Sequence, residues 1–145
     1  MKDSGSMRRT SKSDLQPKQE VRALVVDDQS IARLILRSCL KNVGVCDTVM
    51  KEDAKEAFDG LEDSAVDVIF TDIQMPGWDG RRFVSEVRAH RSWCQLPVVA
   101  VSSLKEDELN WRELGFSAYM HKPYTIADLK VVLNKVLPAY AAAAC

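Results

Sequence analysis

Apolar and polar positions fall in blocks along this chain, and the blocks change period. Val21–Val26 is a short apolar run; Ile31, Leu34, Ile35, Ser38 and Cys39 then follow helical spacing up to Gly44. Cys46–Met50 is strand-like, and Ala54, Ala57, Phe58 and Leu61 stand at helical spacing after it. Val66–Thr71 reads as a strand, and Phe83, Val84 and Val87 mark a third helix. Pro97–Val101 is a near-continuous apolar strand, and Leu104–Leu114 reads as one helix with acids in its first turn. Phe116–Met120 is the fifth strand. Thr125 and Asp128 form a capping box before a fifth helix, which Pro138 closes.

The pattern predicts five strand–helix units in succession. Such alternation predicts an α/β protein, a doubly wound (βα)5 parallel sheet with helices on both faces. The strands are apolar throughout, as strands covered on both faces must be. The ends differ from this body. Residues 1–20 are polar and aperiodic, carry a net charge of +2 and read as a disordered leader. The body spans 21–138, and 139–145 is a short tail of low information.

Composition narrows the class without naming a function. Of the 145 residues, 46% are hydrophobic and 28% charged, which is enough apolar content for one disulfide-free core. A formal charge of −1 points to neither nucleic acid nor an anionic membrane as a partner. No run approaches the roughly 20 apolar residues needed to span a bilayer, and a cytoplasmic location is expected. Cys39, Cys46, Cys94 and Cys145 form no C-x-x-C pair, so a zinc site is not expected. Cys39 and Cys46 read as small buried hydrophobes.

Open parallel sheets place their ligands at the carboxyl ends of the strands. In this chain those ends carry chemistry. Asp27 and Asp28 follow the first strand, Asp72 the third, Ser102 and Ser103 the fourth, and Lys122 the fifth. One carboxylate after a strand is explained by capping the next helix; two adjacent ones repel and need a further reason. Three acids on one rim call for a cation, and hard oxygen ligands suit Mg²⁺, which favours an added phosphate ligand. An Asp carboxylate is itself a nucleophile toward phosphorus. A hydroxyl and an ammonium beside it would hold phosphoryl oxygens.

The ordered set Asp27-Asp28, Asp72 within D-x-x-M-P-x-x-D-G, Ser102 after "PVVAV", Tyr119 and Lys122-Pro123 resembles the receiver domain of two-component response regulators, chemotaxis type. The resemblance implies a flavodoxin-like sheet of order 2-1-3-4-5. It implies that Asp72 accepts a phosphoryl group from a histidine kinase or phosphotransfer protein. Asp28, Asp72 and the backbone carbonyl of Gln74 would ligate Mg²⁺, and Asp27 would hold a metal-bound water. Lys122 would pair with a phosphoryl oxygen, Ser102 would swing to another, and Tyr119 would turn inward behind it. Output would pass to a target protein, or onward in a phosphorelay, through the face of the fourth helix, fifth strand and fifth helix. Gln74 and Leu104 occupy the positions that tune hydrolysis of the phosphoryl group.

The departures from the family are mild. Ser102 replaces the commoner threonine, Ser103 an Ala or Gly, and Trp78, expected to fill core, a Met or another apolar residue. Rival readings fit less well. A haloacid-dehalogenase-type phosphatase needs a second Asp two residues after its nucleophile, where this chain has Gln29, Ser30 or Gln74. A non-phosphorylated pseudo-receiver usually loses an acid or the lysine, and this chain keeps them. The expectation is therefore a phosphoacceptor signalling protein rather than an enzyme acting on other substrates.

Overall fold

In the computed structural model, which describes residues 20–137, five strands line up in parallel in the order β2-β1-β3-β4-β5. They are β1 (Arg22–Val26), β2 (Asp47–Lys51), β3 (Val68–Asp72), β4 (Val98–Ser102) and β5 (Ala118–His121). Between and after them come α1 (Ser30–Asn42), α2 (Ala54–Gly60), α3 (Gly80–Ala89), α4 (Trp111–Leu114) and α5 (Ile126–Val136). The expected sheet order is thus observed. The leader, apart from Glu20, and the tail lie outside the described residues, as does Pro138.

Alternation along the buried strands splits the core in two. Val25, Phe70, Val99 and Val101 face Leu36 and Leu40 of α1 and Leu129 and Leu133 of α5. Leu24, Val26, Ile69, Val98 and Ala100 face Ala57, Phe83, Val84, Val87 and Trp111 on the other side. Trp78 packs at the margin of this second cluster, in line with core filling, and the Arg82 guanidinium lies 4.6 Å from its ring centroid.

Local signals set the helix starts. Asp53 and Asp79 cap α2 and α3 by accepting from the N–H groups of Glu56 and Arg82, each at 2.9 Å. The Thr125–Asp128 box forms as expected, with bonds of 2.8 and 3.1 Å in the two directions.

Three readings need correction. The apolar stripe of α1 is not the buried one: Ile31, Leu34 and Ile35 are 69, 48 and 51% exposed, while Leu36 and Leu40 are buried. Apolar residues lie on more than one face of this helix, so periodicity alone leaves its rotation undetermined. Cys46 is exposed just before β2, and Cys39 is only half-buried. The single helix expected over 104–114 is a 3-10 turn, Glu106–Glu108, followed by the one-turn α4. Leu109 and Trp111 are both buried. Residues two apart point about 200° apart on an α-helix, so both reach the core only if the helix breaks between them.

Gly80 shows how tightly the loop after β3 is drawn in. Its N–H donates to Ile73 O at 2.8 Å, and a Cβ there would lie 2.4 Å from Asp72 O and 2.8 Å from Ile73 Cα. Gly80→Ala is expected to destabilise the fold by about 1–3 kcal/mol, the usual cost of overpacking. Chemical denaturation checks this, with no change in midpoint as the contrary result.

Candidate functional site

Strand register assembles the rim. Val26 pairs with Thr71, which sets Asp27 beside Asp72. Asp72 pairs with Val101, so Ser102 is next along β4, and Ser102 pairs with His121, so Lys122 is next after β5. Residues far apart in sequence therefore meet because parallel strands end together.

The carboxylates of Asp27, Asp28 and Asp72 offer oxygen atoms within 4.8 Å of one another. Among the described residues no other group of three or more His, Cys, Asp or Glu approaches this closely. Lys122 Nζ lies 3.0 Å from Asp27 Oδ2 and 3.7 Å from Asp72 Oδ2. One ammonium thus spans two of three acids. Asp27 is buried; its Oδ1 accepts from the Gln29 N–H at 2.9 Å, and its backbone carbonyl accepts from Arg33 Nη1 at 2.7 Å. The Gln29 bond is to the N–H of the N-cap residue itself, and α1 starts without a side-chain cap, so helix capping explains neither acid of the pair.

Asp72 Oδ1 accepts from the Ile73 N–H at 2.8 Å. Burial raises its carboxyl pKa above the ordinary value; Lys122 opposes the rise, while Asp27 and Asp28 add to it. Donors of this kind (closely spaced, charged and of hard oxygen) fit a small divalent cation better than they fit one another.

Ser102 is buried, and its Oγ accepts from the Leu104 N–H at 3.0 Å. The Tyr119 hydroxyl donates to the Leu104 carbonyl. Both groups expected to switch therefore bond one peptide segment, a link the sequence did not disclose. Burial raises the Tyr119 pKa, and Glu106, Glu108 and Asp107 raise it further. Gln74 is exposed on the loop after Asp72, and Leu104 is half-buried.

Three further residues escaped the sequence reading. Arg33 fixes the Asp27 backbone. Gly80 permits the close approach to Asp72. Arg88 donates to the carbonyls of Gly115, Cys94 and Leu96 and to Ser117 Oγ, tying α3 to the approaches of β4 and β5. Gly80 had a signal in the D-x-x-M-P-x-x-D-G motif; the arginines had none, because most of their acceptors are backbone carbonyls, which every residue carries.

Residues 23–134 match the model of the response regulator receiver domain family. The chain is 30% identical to the chemotaxis protein CheY-3 of Vibrio cholerae over 118 residues, covering 80% of this chain and 91% of that protein. It is 38% identical over 119 residues to the sensor histidine kinase CheAY of Helicobacter pylori, covering 77% of this chain but 14% of that much longer protein. The fold is similar to the chemotaxis response regulator CheY4 of Vibrio cholerae, with a TM-score of 0.75, 25% identity, and coverage of 82% of this chain and 100% of the other. It is also similar to the receiver domain of the sensor histidine kinase PA1611 of Pseudomonas aeruginosa, described with a magnesium ion coordinated in its active-site cleft. There the TM-score is 0.72 at 23% identity, with coverage of 81% of this chain and 98% of the other.

The raised Asp72 pKa has a thermodynamic consequence. A carboxyl that binds its proton more tightly in the folded state than in the unfolded one costs stability once pH exceeds its unfolded pKa. Asp72→Asn is therefore expected to melt higher than the wild type at pH 7 in metal-free buffer. The gap should close as pH falls through the raised folded-state pKa of Asp72 toward the ordinary carboxyl range. Melting curves across pH check this, and a gap that widens on acidification would contradict it.

Proposed function

The chain belongs to the response regulator receiver domain family, and from that premise we propose that Asp72 accepts a phosphoryl group from a histidine kinase or phosphotransfer protein. The observation that carries this reading is the convergence of Asp27, Asp28 and Asp72 around Lys122 at the open rim of the sheet. An Asp72 carboxylate oxygen attacks phosphorus, and the bond from phosphorus to the donor breaks. Asp28, Asp72 and the Gln74 backbone carbonyl would hold Mg²⁺, and Asp27 would hold a water beside it. Bound there, the cation would neutralise phosphoryl charge.

The chain's own groups do the rest. Lys122, already near Asp72, follows a phosphoryl oxygen. Ser102 Oγ releases the Leu104 N–H and turns to another oxygen, which frees the segment that Tyr119 also holds. The loop and Tyr119 form a two-state element whose balance phosphorylation shifts. The readout lies on the α4–β5–α5 face, where Val131 is 67% exposed, and passes to a target protein or onward in a phosphorelay. The reading is of a signalling protein that catalyses at most its own phosphorylation and dephosphorylation. Among the described residues no helix is long and apolar enough to cross a membrane.

Incubation with acetyl phosphate and Mg²⁺ is expected to add one phosphoryl mass, and Asp72→Asn should abolish the gain. Mg²⁺ alone should raise the melting temperature modestly by mass action, and Asp28→Ala should remove that rise. An equal shift in both proteins would exclude Asp28 as a ligand.

The lifetime of the phosphoryl group is the third expectation. Gln74 can orient a water, but Leu104 offers it no side-chain polar group, and orienting the nucleophile is a large part of the barrier. Autodephosphorylation is expected to be about tenfold slower than in fast chemotaxis regulators, equivalent to about 1.4 kcal/mol. Leu104→Glu should speed phosphate loss; an unchanged or slower rate would clear Leu104 of that role.

A further inference from the structure

A cavity of about 160 Å³ opens between the edge strand β2 and α2. Leu24, Val49, Ala57, Leu61 and Val66 supply its apolar wall, and Lys51, Asp63 and Ser64 stand among its polar lining. None of the rim residues Asp27, Asp28, Asp72, Ser102 and Lys122 lines it. An apolar cavity of roughly 150 Å³ stays dry and admits benzene, so this one has room for a single branched aliphatic side chain.

The surface around it is acidic. Residues 51–67 hold seven acids and two lysines, a net charge of −5. Asp53 caps α2, Asp59 pairs with Lys55, and Asp67 accepts from the Arg22 N–H. Glu62 and Asp63 are exposed and make no ion pair among the described residues; nor does Lys51. An acidic margin around an apolar centre suits a basic segment that carries one aliphatic residue. The chain itself contains such a segment. Residues 8–19, outside the described residues, hold Arg8, Arg9, Lys12 and Lys18 against Asp14, and Leu15 is the one branched aliphatic between Met1 and Glu20. The segment also joins the fold at the right place. Arg22, seven residues after Leu15, donates from its N–H to Asp67 Oδ2 at 2.8 Å and from Nη1 to Ser64 Oγ at 3.1 Å. The chain thus enters β1 against the cavity's own wall. Seven extended residues span up to about 25 Å, enough to return to it.

We propose that residues 8–19 dock on the β2–α2 surface of their own chain, with Leu15 in the cavity. Lys12 and Lys18 then face Glu62 and Asp63, and Asp14 faces Lys51. Exposed ion pairs are individually weak. A short tether, however, presents its segment at an effective concentration on the order of millimolar, so a contact too weak to hold a free peptide is mostly formed. Docked, the segment shields an acidic surface with an apolar centre from other basic chains. The assignment does not rest on the reading of Asp72.

Two readouts on the full chain test this. Methyl resonances of Leu24, Val49, Leu61 and Val66 are compared among the wild type, Leu15→Ser and the surface double variant Glu62→Lys/Asp63→Lys. Both variants should shift them, while the methyls of Leu129 and Leu133, on the far side of the sheet, should stay in place. A synthetic peptide of residues 8–19, added to the Leu15→Ser chain at about millimolar concentration, should move the signals back toward their wild-type positions. Limited trypsin digestion follows cleavage after Lys12 and Lys18, which tracks the undocked population. Cleavage should be about fivefold faster in both variants, the ratio for a segment docked roughly four-fifths of the time. Raising salt from about 0.01 to 1 M, which shortens the screening length from roughly 30 to 3 Å, should bring the wild-type rate toward that of the variants. Unchanged methyl positions or an unchanged cleavage rate in Leu15→Ser overturns the docking. Wild-type signals that move toward those of Leu15→Ser on dilution overturn the intramolecular contact and make a second copy's segment the occupant.

Discussion

Mutual repulsion among Asp27, Asp28 and Asp72 is the constraint around which this structure is arranged. Their oxygen atoms lie within 4.8 Å of one another, and burial sharpens the repulsion by removing solvent screening. Lys122 relieves part of it from a position 95 residues beyond Asp27. That relief requires β5 to pair with β4, β4 with β3 and β3 with β1, all in parallel and all in register. The apolar strands, buried on both faces, supply the stability that holds such a cluster together. The raised carboxyl of Asp72 shows that Lys122 does not fully offset the burial. The residual strain favours any cation or charge arrangement that neutralises the rim.

The same rim connects to a segment of lighter build. After β4 the chain makes a 3-10 turn and a single helical turn, and Ser102 and Tyr119 bond one residue, Leu104, from its two peptide groups. Short elements with few internal hydrogen bonds are where local opening is cheapest. The opposite side is firmer: α1 is a 13-residue helix whose start is pinned by Arg33 to the Asp27 carbonyl. The chemistry of the two sides differs as well. Basic and apolar groups mark α1, while Glu106, Asp107 and Glu108 stand near Tyr119. Distinct surfaces of opposite charge allow two partners to be told apart.

Much of this was legible in the sequence, for definite reasons. Apolar runs bounded by turn residues mark buried strands whatever packs on them. The Thr125–Asp128 box and the Asp caps act within one turn, so their bonds could be read from neighbouring letters. The rim residues Asp27, Asp28, Asp72, Ser102 and Lys122 were legible as candidates because they stand at or just past strand ends, and parallel strands must end on one rim. The break between Leu109 and Trp111 was not legible: helical spacing fits the segment, and only the demand that both side chains be buried forbids a continuous helix.

The sequence by itself determined the order of elements, the apolar character of the central strands β1, β3 and β4, and the placing of acids, hydroxyl and lysine at strand ends. These depend on local pattern and covalent order. Only the tertiary structure decided which face of α1 turned inward, because several of its faces are apolar and the sheet beneath selects Leu36 and Leu40. It alone brought Lys122 to Asp27 and Asp72, joined Ser102 and Tyr119 through Leu104, and required Gly80 against the Asp72 carbonyl. Each of these is a contact between residues whose separation in space is set by strand register and packing, and such distances are properties of the assembled sheet rather than of any segment in it.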